Sequence, residues 1–139
     1  MKKRPTRGNG LDVLIVEDEL EIAELIRDSL EPLGMACRIV RDAEAADRAL
    51  AAAPVDAVTL DLGMPGRSGV EWLESVAAGQ PELASRTLVI TGLDLEGELV
   101  ERLARCGAGI LAKPFSINGL HDAVRTQLAR PIHLTAHLN

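Results

Sequence analysis

Five short apolar runs punctuate the chain, and between them apolar residues recur at helical spacing. The runs are Leu11 to Val16, Met35 to Val40, Val55 to Leu60, Thr87 to Thr91 and Gly109 to Ala112. Each is short enough for a strand, and their nearly continuous apolar character suits strands covered on both faces. Ile22, Leu25, Ile26, Leu30 and Leu33 mark one face of a first helix, and Ala45, Ala46, Ala49, Leu50 and Ala53 mark a second, with Gly34 and Pro54 as terminators. Ser68 and Glu71 form an S-x-x-E capping box that opens a third helix carrying Val70, Leu73, Val76 and Ala77 on one side. Leu95, Leu99 and Leu103 suggest a fourth, and Ile117, Leu120, Val124 and Leu128 a fifth, capped by Ser116 and ended before Pro131.

Strict alternation of strand and helix, with right-handed crossovers, predicts an α/β fold with a parallel sheet and helices on both faces. Five units cannot close an eight-stranded barrel, so the expected architecture is an open, doubly wound (βα)5 sheet. Functional groups in such sheets gather at the carboxyl ends of the strands. Reading those positions gives Glu17 and Asp18 after the first strand, Asp61 after the third, Thr91 at the end of the fourth and Lys113 after the fifth.

Composition narrows the possibilities further. A chain of 139 residues fits one domain, and with aromatics at 1% the core must be aliphatic. A net charge of -6 argues against direct binding of nucleic acid, which needs clustered Lys and Arg, and suits a cation-binding acidic site. Lys2, Lys3, Arg4 and Arg7 make residues 1–10 a flexible basic tail, not a secretory signal, because no apolar h-region follows. No apolar run approaches the roughly 20 residues of a membrane span, so a cytoplasmic protein without membrane contact is expected. Cys37 and Cys106 lack metal-site spacing and read as buried or half-buried free thiols, and His133 and His137, though four residues apart, have no further ligand beside them.

Three carboxylates converging between the first and third strands repel one another unless a cation enters, and Mg²⁺ is the expected occupant. Mg²⁺ takes oxygen ligands: Asp18, Asp61 and the backbone carbonyl of Gly63 supply such a set, and Glu17, longer by one methylene, reaches the ion through a water. A metal-held carboxylate facing an ammonium and a hydroxyl is what phosphoryl transfer to Asp requires. Asp61 is then the nucleophile, Lys113 pairs with one phosphoryl oxygen and Thr91 hydrogen-bonds another. The bland alternatives are a solvated acidic rim, a plain strand-end hydroxyl and a lysine snorkelling from a strand end.

The chain resembles the receiver domain of bacterial two-component response regulators, in a stand-alone, chemotaxis-regulator-like form. The resemblance covers about Leu11 to Leu128, within an expected receiver domain of residues 11–129, and rests on Val16-Glu17-Asp18-Glu19, on Asp61 through Gly69, on Thr91-Gly92 and on Lys113-Pro114-Phe115. It implies a flavodoxin-like sheet of order 2-1-3-4-5, and a signalling domain, not an enzyme in the ordinary sense, that catalyses only its own phosphorylation and dephosphorylation. The donor would be a sensor histidine kinase or a histidine phosphotransfer protein. Asp61 matches the acceptor, Glu17 and Asp18 the metal-binding pair, Thr91 the switch hydroxyl and Lys113 the phosphate-sensing lysine. The resemblance further implies a cis Lys113–Pro114 bond, donor docking on the first helix and the Lys113-Pro114-Phe115 loop, a downstream protein target, and pairing of two copies on phosphorylation.

One departure stands out. The family's usual aromatic residue three positions before the lysine is Ile110 here, which puts the coupled threonine–aromatic switch in doubt. Residues 130–139 form a C-terminal tail too short for an output domain, favouring a stand-alone receiver over a piece of a longer chain. Three other readings stand beside it. A phosphatase of the haloacid-dehalogenase type needs a second Asp two residues after its nucleophile, where this chain has Gly63. A flavin carrier of the same topology needs aromatics around its ligand, and only Trp72 and Phe115 exist, with Trp72 read as core packing or a partly exposed ring. A receiver-like module that binds partners without phosphorylation is the third.

Overall fold

The computed structural model describes residues 10–64 and 66–128. Five strands, β1 (Asp12–Val16), β2 (Ala36–Val40), β3 (Ala57–Leu60), β4 (Thr87–Thr91) and β5 (Gly109–Ala112), form one parallel sheet in the order β2-β1-β3-β4-β5. The helices are α1 (Leu20–Leu30), α2 (Ala43–Ala52), α3 (Gly69–Gly79), α4 (Pro81–Ser85), α5 (Glu98–Cys106) and α6 (Ile117–Leu128). The expected fold class and strand order are both observed.

Alternation along each strand sorts the core into two layers. Val13 and Ile15 of β1, with Leu88 and Ile90 of β4, meet Ile26 and Leu30 of α1 and Leu120 and Val124 of α6. Leu14 and Val16, with Val58, Leu60 and Val89, meet the other helices through Ala46, Trp72, Leu73 and Leu103. Both faces are apolar, so the period-2 signal is hidden in the sequence and each strand reads as a continuous run. Trp72 is fully buried, its ring nitrogen donating to Asp47 Oδ1 at 2.8 Å, and this settles it as a core residue.

Local chemistry explains most element ends. The Asp42 side chain caps α2 by accepting from the Ala45 amide at 2.8 Å, and Ser68 caps α3 by accepting from the Glu71 amide at 3.0 Å. Ser116 accepts from the Gly119 amide at 2.9 Å at the start of α6. Three features depart from the sequence reading. Pro32, which has no amide hydrogen, ends α1 early, and Glu31–Leu33 tightens into a 3-10 turn. Pro81 opens the short α4, which is too brief to display periodicity. Gly97, at φ 63°, starts α5 so late that Leu95 lies outside it, although Leu95 still packs on the core.

Among the described residues, no helix is long and apolar enough to cross a membrane. Cys37 is half-buried and Cys106 buried, and both are free, as expected. Burial pushes the Cys37 thiol up to about 12. His133, His137, the basic tail apart from Gly10, and the C-terminal tail lie outside the described residues.

Candidate functional site

The last ladder bond of each strand places the residues that follow it. The Asp61 amide donates to the Val16 carbonyl at 2.9 Å, the Glu17 amide to Val40 at 3.0 Å and the Lys113 amide to Thr91 at 2.9 Å. Because β1 sits between β2 and β3, residues far apart in sequence emerge side by side. One carboxylate oxygen from each of Glu17, Asp18 and Asp61 lies within 4.8 Å of the others. Like charges at that range repel by roughly 3 kcal/mol per pair at an effective dielectric near 20.

Lys113 enters this cluster from β5. Its Nζ lies 3.1 Å from Glu17 Oε1 and 3.6 Å from Asp61 Oδ1, with the side chain largely shielded from solvent. Asp61 Oδ1 also accepts the Gly63 amide at 3.2 Å, and Glu17 Oε2 accepts the Glu19 amide at 3.2 Å. Burial first, and then the charge of Asp61, push the Glu17 carboxyl up to about 7 despite the opposing pull of Lys113. One ammonium therefore does not offset three carboxyl groups.

Thr91 closes the same edge. Its hydroxyl is buried and accepts the Leu93 amide at 3.2 Å, but among the described residues no hydrogen bond joins it to Asp61. Lys113–Pro114 is cis, as the family resemblance implies. The β3–α3 loop is held against its own strand by Gly69, where an added Cβ would lie 2.9 Å from Leu62 Cα and 3.0 Å from the Asp61 carbonyl oxygen, too close to be tolerated without movement. Gly63 and Gly92 are different: a Cβ at either makes only ordinary contacts, at 3.9 and 3.8 Å, so their small size leaves room above the site.

An all-oxygen donor set with excess negative charge fits a hard divalent cation, and Gly63 lies beside it, within ordinary contact of Asp61 Oδ1. Beside the site, α1 and the β5–α6 connection form a largely apolar groove lined by Ile22, Leu25, Lys113, Pro114 and Phe115. Two contacts were not foreseen from the sequence. Arg41, just past β2, donates from Nε and Nη2 to the Asp18 carbonyl at 3.0 and 2.9 Å. Asp47 of α2 joins Arg67 of the β3–α3 loop, at 2.5 Å, to Trp72. Arg41 was within reach of the strand-end rule, since it follows the second strand directly; the Asp47 contacts span 20 and 25 residues and leave no local signal.

The parallel five-stranded sheet and this acidic, lysine-bearing edge together define a receiver-type signalling module. The chain belongs to the response regulator receiver domain family, whose model matches residues 13–125. It is 30% identical over 123 residues to the transcriptional regulatory protein BasR of Escherichia coli K12, covering 86% of this chain and 53% of BasR. It is 33% identical over 128 residues to the KDP operon transcriptional regulatory protein KdpE of the same organism, covering 90% of this chain and 54% of KdpE. The crystal structure of the receiver domain of NtrX from Brucella abortus superimposes with a TM-score of 0.74 at 27% identity, covering 86% of this chain and all of that one. The chain spans about half the length of the curated relatives it matches, and their part in transcription is that of whole proteins.

The chain is thus a receiver domain of two-component response regulators, a signalling module homologous to phospho-acceptor domains. Receiver domains of this family interact with histidine kinases and bind Mg²⁺ at an acidic pocket. The haloacid-dehalogenase reading is not favoured, because Gly63 stands where that chemistry needs its acid. The flavin reading fares no better, since Trp72 is sealed in the core.

Proposed function

We propose that Asp61 accepts a phosphoryl group from a phosphohistidine on a sensor kinase or histidine phosphotransfer protein. An Asp61 carboxylate oxygen attacks the phosphorus, a P–O bond forms as the P–N bond breaks, and the electron pair leaves with the imidazole nitrogen. Glu17, Asp18, Asp61 and the Gly63 carbonyl would hold Mg²⁺, which when bound neutralises negative charge on the phosphoryl oxygens. Lys113, already 3.6 Å from Asp61 Oδ1, exchanges part of its contact with Glu17 for a phosphoryl oxygen. The Thr91 hydroxyl turns to a second oxygen. The observation that carries this reading is the meeting of three carboxyl groups and one ammonium at the carboxyl edge of the sheet.

The donor's histidine-bearing face docks on the groove between α1 and the Lys113-Pro114-Phe115 connection, and the site faces the cytoplasm. Output passes by protein contact, including pairing of phosphorylated copies, rather than by direct contact with nucleic acid. With Ile110 42% exposed at the position of the usual aromatic, the transmission step does not run through a rotating ring. Incubation with acetyl phosphate and Mg²⁺, read by intact mass, tests the chemistry. One base-labile phosphoryl group is expected on the natural chain, with none on Asp61→Asn or without metal. Uptake by Asp61→Asn at the native level would overturn the assignment.

A further inference from the structure

Of the three clustered carboxylates, two are held by their own side-chain contacts. Glu17 is gripped by Lys113 and the Glu19 amide, and Asp61 by Lys113 and the Gly63 amide. The Asp18 carboxylate has no such hydrogen bond among the described residues, so its direction depends on where its backbone is held. That backbone is held by Arg41, whose Nε and Nη2 both donate to the Asp18 carbonyl. Two charge-assisted bonds from one planar group fix position and orientation together, which a single donor does not.

We propose that Arg41 is a positioning residue for the divalent-cation site: it anchors the Glu17-Asp18-Glu19 turn to the end of β2 and so presents the Asp18 carboxylate to the ion. The inference rests on the reading of this edge as a Mg²⁺ site. Its physical interest is that two effects of Arg41 oppose each other. A guanidinium beside an acidic pocket repels an incoming cation, so its charge alone weakens metal binding. As an anchor it strengthens binding by sparing the ion the cost of ordering Asp18. Partners that orient a metal ligand are typically worth 10–100-fold in affinity, more than an exposed charge contributes through solvent.

The sign of the mutational effect therefore decides the matter. Calorimetric titration with Mg²⁺ on the full chain should show Arg41→Ala binding roughly tenfold more weakly than the natural protein. Arg41→Lys, which keeps the charge but not the paired donors, should fall between them. Thermal midpoints without metal should stay together, because Arg41 is exposed. Equal or tighter binding by Arg41→Ala would overturn the anchor. Absence of Mg²⁺ binding in the natural protein would overturn the cation site itself, and the anchor with it. Asp18→Asn, expected to bind weakly whatever the role of Arg41, separates the two failures.

Discussion

The two ends of the sheet are built on opposite terms. At the amino end polar groups meet complementary partners: the Asp12 amide donates to Asp56 Oδ2 at 2.7 Å, and the Asp56 amide returns a bond to the Asp12 carbonyl at 2.8 Å. The buried Gln127 side chain of α6 donates from Nε2 to the Ser85 carbonyl at 2.7 Å and the Gly107 carbonyl at 2.8 Å, tying the entries to β4 and β5 together. At the carboxyl end three carboxyl groups crowd one ammonium, and a carboxyl group that would ordinarily titrate near 4.5 is pushed up to about 7. The contrast separates polar groups paired within the fold from an acidic cluster that one ammonium leaves under-neutralised, at the edge where doubly wound sheets usually carry their functional groups.

Breaking the amino end should cost the most stability and leave the chemistry alone. Gln127→Ala removes two hydrogen bonds made by a buried side chain and is expected to lower the unfolding free energy by about 2–3 kcal/mol in chemical denaturation. Phosphoryl uptake at a temperature where the variant remains folded should be unchanged. A loss of uptake with stability intact would mean that the two ends are not independent.

Altering the carboxyl end should do the reverse. In the metal-free protein the folded state keeps the Glu17 proton up to about pH 7, whereas the unfolded chain releases it near 4.5. Raising the pH through that window favours the unfolded state, so stability falls, and Glu17→Gln removes this loss. The variant should be more stable than the natural protein by up to roughly 3 kcal/mol above pH 7, with the gap closing below pH 4.5. Denaturation at several pH values in the presence of a chelator checks both the size and the sign.

The same contrast explains which features are legible in the sequence. Strand ends were legible because apolar runs stop where charge begins, so Glu17, Asp18, Asp61, Thr91 and Lys113 could be found by position alone. Sheet order places Lys113 beside Thr91 of β4, and only the long lysine side chain carries its ammonium past β4 to Asp61. Elements governed by a single proline or glycine were not legible: Pro81 opens a helix of five residues, and Gly97 delays α5 past Leu95. Contacts between side chains and distant backbone, such as Arg41 on Asp18, were hidden because nothing in a linear pattern says which carbonyl a guanidinium meets.

Thermal unfolding of the natural protein and Asp61→Asn, each with Mg²⁺ and with chelator, tests whether a cation relieves the mutual repulsion at the carboxyl end. Without metal, and above pH 7 where Glu17 is ionised as well, Asp61→Asn should melt higher, by an amount equivalent to about 1 kcal/mol, because one of three crowded charges is gone. With Mg²⁺ the natural protein should gain more than the variant, narrowing or reversing the order. Equal midpoints without metal and no differential gain from Mg²⁺ would contradict the account.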